Sequence, residues 1–440
     1  MCYEVKCSSC GKTSWGGCGR HVPSVYNRIP QGQHCLCRAW PGVDPNNPNA
    51  HAAQSSSFCT VHDQLHLAPS RHAMVTRLTV RIRATPSDTQ SRTSELANDI
   101  RWDKDDLGFD TVPTDFMYVM KCCEGGDKFS DGELLLYEKI ELNPFSSVLN
   151  YGQGIIEDLK AFKKEDDSTI LLFRPEANGL RMRVGADRLC MPSPTIHQFV
   201  EAVKLTASAN RRWVPPQNKG FLHIRPLLIG SGNVLSLIPS TEFIFLIYVN
   251  PVTNYFESGE EPINLVVENV IHRAVPGGVG STKAIGNYAM VAKAQAAAKA
   301  NGYHDVLYLD AVHNKYLEQI TTANIFLVKD KTICTPALRG TILPGITRES
   351  IIDIARGQGF QVEERLVSVE ELFSADEVFC TGNTIGLFPV ASITYLGERL
   401  SYKGGGLGTI SQQLCSALSN IQKGISEDKM GWTTVLKQEE

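Results

Sequence analysis

The sequence predicts an α/β (α+β) protein of two lobes behind an N-terminal extension, on three observations. From about Ile100 onward, apolar runs of strand length alternate with segments of helical spacing. An acidic break, ESGEEP at 257–262, parts two such series. Ahead of them, the first 43 residues hold six of the chain's 13 cysteines and almost no apolar periodicity. The expected division is a cysteine-rich extension over 1–43, a linker or transit-peptide-like segment over 44–97, a small N-terminal domain over 98–256 and a large C-terminal domain over 257–440.

In chain order, SVLNYGQGII (147–156) reads as a strand, PEANGLRMRVGADRLCM (175–191) as a helix and EFIFLIYVN (242–250) as a buried strand. INLVVENVI, DVLYLDAV, NIFLVKD and DEVFCTG add short strands beyond residue 262. Between them lie the alanine-rich helix YAMVAKAQAAAKANG and a second helix, TRESIIDIARGQG. Both helices are expected to close on glycine, Gly302 and Gly357, which accepts the left-handed conformation most cheaply.

A hydrophobic share of 42 % and a charged share of 20 % are those of a globular chain with a large core. The net charge of −4 gives no global reason to expect nucleic acid or membrane as a partner. No uncharged apolar stretch reaches the roughly 18 residues of a membrane helix.

In the extension, Cys7 and Cys10 have the gap that lets two thiolates reach one tetrahedral Zn²⁺. Cys18, His21, His34, Cys35 or Cys37 can complete such a site, with Cys7, Cys10, Cys18 and Cys35 the favoured zinc ligands. The other reading is a disordered or disulfide-linked extension. The remaining cysteines are scattered, as reduced buried thiols are, which points to a reducing compartment for the main body. QLHLAPSRHAMVTRLTVRIRATPS (64–87) has four arginines and no acid, the composition of an organellar transit peptide. Either residues 1–73 are a separate upstream module or the true start is Met74.

PGGVGSTKAIGNYA (276–289) places Lys283 behind a glycine-rich turn. A Walker loop needs the lysine directly after glycine and a hydroxyl directly after the lysine; Ser281, Thr282 and Ala284 break both conditions. Tyr288 opens the alanine-rich helix five residues on, and Gly345, Ile346 and Thr347 begin another helix, where free N–H groups and a hydroxyl can hold phosphate. A bond-forming lysine, a tyrosine, an arginine and a helix-end phosphate site are the parts of a pyridoxal phosphate (PLP) pocket.

From about Asp99 to Glu440 the chain resembles the plant-type branched-chain amino acid aminotransferases, of PLP fold type IV. RLCMPSP, RRWVPP, IRPLLIGSG, PGGVGSTKAIGNYA, VLYLDAVHNKYLEQITTANIFLV, GTILPGITRES and DKMGWTTVL carry the resemblance, in family order. It implies that Lys283 bonds the PLP aldehyde and shuttles the proton between substrate Cα and cofactor C4′, and that Tyr288 meets the ring oxygen. Arg181 would clasp the phosphate with the backbone of Ile346 and Thr347. Phe109, Tyr151 and Tyr255 would line the substrate pocket, and Arg225 the carboxylate side. The resemblance further implies amino acids and 2-oxo acids as partners, 2-oxoglutarate as acceptor, a homodimer and a plastid, or else mitochondrial, location.

Several positions depart from the family pattern. Gln319 stands where a glutamate pairs with the pyridine nitrogen, and the neighbouring Glu318 should face the other way in a strand. An amide stabilises a pyridinium less than a carboxylate, so the ring is a poorer electron sink. Phe-Glu-Gly reads Ile156-Glu157-Asp158, Tyr-x-Arg reads His223-Ile224-Arg225, and Gly-Thr-Ala reads Gly382-Asn383-Thr384. Asn383 can still donate to the cofactor, and Thr384 stays on the substrate side. Three readings follow: an active aminotransferase; a catalytically impaired or substrate-shifted paralogue that binds PLP in a non-transaminase or regulatory role; or a related fold-type IV lyase or D-amino acid transaminase, which only the altered Gly382-Asn383 turn suggests and the plant-type stretches argue against.

Overall fold

The structure, a computed structural model, describes residues 3–6, 10–16, 25–26, 28–30, 32–35, 37, 102, 108 and, from 110 onward, all but 123–127, 167, 254–261, 384–385, 403–407 and 438–440. Cys7, Cys18, Phe109, Tyr255, Thr384 and the arginine-rich segment 64–87 lie outside the described residues, as does nearly all of the acidic break. Residues 1–77 and 78–440 form two compact units.

In the first unit, β1 (Tyr3–Lys6) pairs antiparallel with β2 (Thr13–Gly16). The backbone of Thr13 exchanges hydrogen bonds with Gln33 and Cys35, so the later cysteines are drawn back to the hairpin. Val25, Ile29 and Cys35 are buried there.

The second unit is built on two sheets. The first is antiparallel and contains β3 (Phe116–Cys122), β4 (Glu133–Leu136), β5 (Gly154–Ile156), β6 (Leu159–Lys163), β7 (Thr169–Phe173), β8 (Gly220–Gly230) and β9 (Phe243–Thr253). The β8–β9 pair runs unbroken from Gly220↔Thr253 to Gly230↔Phe243 and forms its spine. Before β5, Ser147–Tyr151 form a short helix, α1, closed by Gly152 at φ 64°. The expectation of one strand over 147–156 is thus corrected: the left-handed glycine divides a helical turn from a three-residue strand. Helices α2 (Pro175–Arg188) and α3 (Ile196–Ala209) cover one face, burying Met182, Phe199 and Val203 against Ile224 and Phe245. Thr195 and Gln198 close α3 with a reciprocal capping box.

The second sheet is mixed. It comprises β10 (Ile263–Glu268), then β11 (Asp305–Leu309) after helix α4 (Gly286–Ala300), β12 (Leu317–Ile320), β13 (Asn324–Lys329) and β14 (Thr332–Pro336). After helix α5 (Ile346–Gly357) follow β15 (Gln361–Arg365), β16 (Glu377–Gly382), β17 (Gly386–Tyr395) and β18 (Glu398–Ser401). Its order is β12-β11-β10-β17-β16-β13-β14-β15, and a β12–β13 pairing at Gln319↔Asn324 closes six strands into a ring. NIFLV is apolar throughout because both faces are covered. Ile325 and Leu327 enter one core, while Phe326 and Val328 enter another beneath α5 and α6 (Thr409–Gln422).

The last strand, β19 (Thr433–Lys437), returns to the first sheet and pairs with β7. Trp432 packs edge-on against Phe173, with the Arg174 guanidinium 5.0 Å from its ring. The alanine-rich helix ends at Gly302, φ 81°, as its sequence suggests. For α5 the left-handed residue is Gly359, φ 85°, whereas Gly357 is the last helical residue. Two glycines close together hid which one breaks the helix.

Lys160 on β6 is buried, its ammonium 4.2 Å from the Phe221 ring centre. Burial pushes its pKa down to about 7, with Lys423 adding to the shift and Cys415 opposing it. Between that value and the ordinary lysine range near 10.4, the unfolded chain binds a proton that the folded chain does not, so stability rises with pH across this window. Lys160→Met is expected to raise Tm at pH 7 by several degrees, a gain that shrinks toward pH 10; thermal melts at the two pH values check it.

Candidate active site

A cavity of about 510 Å³ lies between the two sheets, and Lys283 reaches into it. The glycine-rich turn is shaped by close packing: a Cβ on Gly280 would collide with the Thr341 carbonyl and Ala274. Beyond the turn, Ile156 N–H donates to the Lys283 carbonyl at 3.1 Å and Ile285 N–H to the Gly154 carbonyl at 3.1 Å. The lysine's backbone is therefore stitched to β5 of the opposite sheet. Its side chain is buried, with Nζ 3.3 Å from the Tyr288 hydroxyl.

The N-terminus of α5 also lines the cavity. Gly345 precedes it in extended conformation with no side-chain cap, leaving the first N–H groups at Ile346 and Thr347 facing the cavity wall. The Thr347 hydroxyl is buried and has no hydrogen-bond partner. Gly345 is required by packing, since a Cβ would strike the Asn324 amide oxygen. Unpaired donors at a positive helix end fit a phosphate dianion.

Arg181, from α2, lines the same cavity. Its fork is bidentate to Glu157, Nε–Oε1 2.9 Å and Nη2–Oε2 2.6 Å, and Nη1 donates to the Pro344 carbonyl at 3.1 Å. A guanidinium has five N–H donors, so two remain beyond these three bonds. Burial opposes its charge, but Glu157 overrides that and holds its pKa above the usual arginine value. Asn178 adds 2.7 Å to Glu157 Oε2 and 2.9 Å to the Asp158 carbonyl, fixing the link between β5 and β6.

Asp158 occupies the centre of the charged wall. Its Oδ2 is 2.6 Å from Lys283 Nζ, and its Oδ1 is 3.0 Å from His223 Nε2 and 2.9 Å from Arg225 Nε. The Arg225 Nε–H is not aimed along a hydrogen bond, so that contact is an ion pair only. Burial would raise the Asp158 pKa, yet Lys283, His223 and Arg225 together hold it well below the carboxylate range. Lys283 is the counterpart: burial lowers its pKa, and Asp158, with Tyr288, carries it above the usual lysine value. Asn383 lines the cavity and gives its amide to the Asp158 carbonyl.

Gln319 is buried beside this wall, not on it. Its Oε1 accepts from Leu343 N–H at 2.7 Å, and its Nε2 donates to the Ile320 carbonyl at 3.3 Å. Glu318 lines a separate cavity of about 170 Å³ with Asp310, Thr341 and Ile342. Burial raises its pKa, and one carboxylate oxygen has no partner. Tyr151 is exposed and gives its hydroxyl to the Leu235 carbonyl, apart from the cavity-lining residues. Ile156 lines the cavity with Ile285, Ala323 and Leu343.

Sequence reasoning missed the ion-pair roles of Asp158 and Glu157. An acid replacing a glycine one residue from another acid, in a chain with a buried lysine and arginine to neutralise, was the available signal.

In the N-terminal unit, the thiols of Cys10, Cys35 and Cys37 lie within 4.8 Å of one another. Hydrogen bonding to Cys10 and then Cys35 pushes the Cys37 thiol up to about 12. His34 stacks on Tyr26 and contacts its carbonyl, away from the thiols. Of the ligands expected here, Cys10 and Cys35 come together with Cys37.

The class IV aminotransferase family matches residues 168–393. A branched-chain aminotransferase from Thermoproteus uzoniensis, solved with norvaline, aligns at TM-score 0.62 and 26 % identity, over 73 % of this chain and 99 % of that one. One from Escherichia coli aligns at TM-score 0.60 and 27 % identity, over 73 % and 98 %. The chain belongs to the class IV aminotransferases, PLP-dependent enzymes of fold type IV.

Within that class it falls among the plant branched-chain amino acid aminotransferases. The chloroplastic enzyme 2 of Humulus lupulus is 56 % identical over 414 residues, 91 % of this chain and 99 % of the relative. The chloroplastic enzyme 5 of Arabidopsis thaliana is 58 % identical over 350 residues, 80 % and 83 %. The mitochondrial enzyme 1 of Humulus lupulus is 54 % identical over 331 residues, 75 % and 83 %. Residues 1–45 match a domain family of unknown function, DUF8730.

Proposed function

We propose that the chain transfers the amino group between branched-chain or similarly apolar amino acids and 2-oxo acids. The observation that carries this is the buried Lys283 Nζ beside the Tyr288 hydroxyl, in a cavity that the uncapped start of α5 also lines. PLP, when bound, supplies the aldehyde and the electron-accepting ring. Ile346 and Thr347 N–H groups, the Thr347 hydroxyl and the remaining Arg181 donors hold its phosphate. Tyr288 meets the ring oxygen, and Lys283 carries the proton to and from the substrate Cα. Ile156, Ile285, Ala323 and Leu343 give the cavity the apolar surface that a branched side chain needs. His223 and Arg225 stand on the carboxylate side, while Phe109, Tyr151, Tyr255 and Thr384 remain assignments by resemblance.

A homodimer is supported by a surface on which Phe145, Leu149 and Tyr151 adjoin the 233–238 segment, with Leu235 80 % and Leu237 85 % exposed. Large adjacent apolar side chains of this kind mark an interaction face. A plastid location is supported by the arginine-rich segment and by chloroplastic relatives.

Gln319 favours the second reading, an impaired paralogue, because a neutral amide stabilises developing charge on the ring nitrogen less than a carboxylate. The full-length protein is expected to show the visible absorption of lysine-bound PLP, lost on adding leucine and restored by a 2-oxo acid. A yellow protein indifferent to every amino acid would support the impaired reading, and a colourless one would overturn both. Gln319→Glu is expected to raise turnover about tenfold or more, one such step being about 1.4 kcal/mol of barrier; stopped-flow loss of the visible band on mixing with leucine measures it.

For the N-terminal unit we infer a zinc site of Cys10, Cys35 and Cys37, with Cys7 as fourth ligand by its Cys-x-x-Cys spacing to Cys10. Cys37 replaces Cys18 in the set expected from sequence. Metal analysis of the purified chain is expected to find about one zinc per chain in wild type and in Cys18→Ser, and none in Cys37→Ser. Zinc retained by Cys37→Ser would overturn this set.

A further inference from the structure

A buried polar atom left without a partner inside the chain marks a place where a ligand can supply one. Among the described residues, two buried hydroxyls of this kind line the cavity, those of Thr347 and Thr381. Thr347 belongs to the uncapped start of α5. Thr381 comes from β16, in the middle of the second sheet, and is 1 % exposed.

The position of Thr381 follows from strand register. It stands directly across from Asn324 of β13, so the two side chains leave the sheet on the same face as near neighbours. Asn324 in turn packs on the approach to α5. Its amide donates to the Leu343 carbonyl at 3.0 Å, and its amide oxygen occupies the space that a Cβ on Gly345 would take. Thr381 therefore emerges beside the asparagine that abuts the start of α5. Asn383, two residues on, stands where the family's Gly-Thr-Ala turn carries its threonine, but its amide is engaged by the Asp158 carbonyl.

We propose that the Thr381 hydroxyl is a further ligand of the cofactor phosphate, donating to the anion that the Ile346 and Thr347 N–H groups receive at the helix end. This rests on the aminotransferase reading. A phosphate dianion offers three strong acceptor oxygens, so it can take a neutral donor from β16 as well as those of α5. The hydroxyl gains the partner that the chain itself does not give it.

The test uses the full-length protein stripped of PLP, as wild type, Thr381→Val, Thr381→Ala and Thr381→Ser. Valine keeps the shape without the hydroxyl, alanine stands in should valine fail to fold, and serine keeps the hydroxyl. Dissociation constants are read for PLP and for pyridoxal, which lacks the phosphate, from the visible band each forms at the lysine, and for inorganic phosphate by calorimetry. Thr381→Val and Thr381→Ala are expected to bind PLP and inorganic phosphate about tenfold more weakly than wild type, about 1.4 kcal/mol. Pyridoxal binding should change by less than about threefold, and Thr381→Ser should stay close to wild type throughout. Equal weakening for PLP and pyridoxal would mark a packing role, and no weakening would mark a hydroxyl that does not meet the phosphate; either overturns the proposal and leaves the aminotransferase reading standing. A wild type that takes up no PLP would overturn that reading and this one with it.

Discussion

The two hydrogen bonds that join β5 to the backbone on either side of Lys283 are the constraint from which the rest of the site follows. Ile156 N–H to Lys283 O and Ile285 N–H to Gly154 O make the glycine-rich turn an extension of the first sheet, although the helix after it packs on the second. The approach is close enough that a Cβ on Gly154 would press on Ile285. With the lysine's backbone so fixed, the residues just beyond β5, Glu157 and Asp158, have to lie against the lysine and against α2. A change that parted these strands would therefore disturb Lys283, its counter-ion Asp158 and Arg181 together.

Charge balance explains how so many ionisable groups tolerate burial there. Lys283 and Asp158 are both buried, and each holds the other in its charged form against desolvation. Removing one partner would leave an uncompensated charge, which costs more than the pair contributes. Glu157 and Arg181 form a second such pair, bidentate and braced by Asn178. The α5 end differs: its donors have no acidic partner, and the Thr347 hydroxyl has no partner at all. One wall is internally neutralised and the other is left positive, so a dianion is directed to the helix end.

The central strands of the second sheet were legible because fully buried strands are apolar on both faces, and DVLYL and NIFLV show it. The lysine turn and α5 were legible because glycine positions and helix starts are local signals. Ser147–Tyr151 was misread because Val148 and Leu149 suit a strand, and only the left-handed Gly152 shows where extension begins. The return of β19 to β7, roughly 260 residues earlier, has no local signal, and neither does the ring closure at Gln319↔Asn324. The Asp158 ion pairs were hidden for the same reason, since they join positions 65 and 125 residues apart that only the folded sheets bring together.

Gln319 shows how position and chemistry can diverge. It sits at the single pairing that closes the ring, and its amide both accepts from Leu343 and donates to Ile320. A carboxylate could keep the first bond but not the second, because it has no N–H to offer the Ile320 carbonyl. Glutamine thus suits the packing behind the wall better than glutamate does, and the residue it braces, Leu343, is one that lines the cavity. On the proposed reading, structure and catalysis pull this side chain in opposite directions: packing favours the neutral amide, while a cofactor ring nitrogen seated against position 319 would favour the charged one.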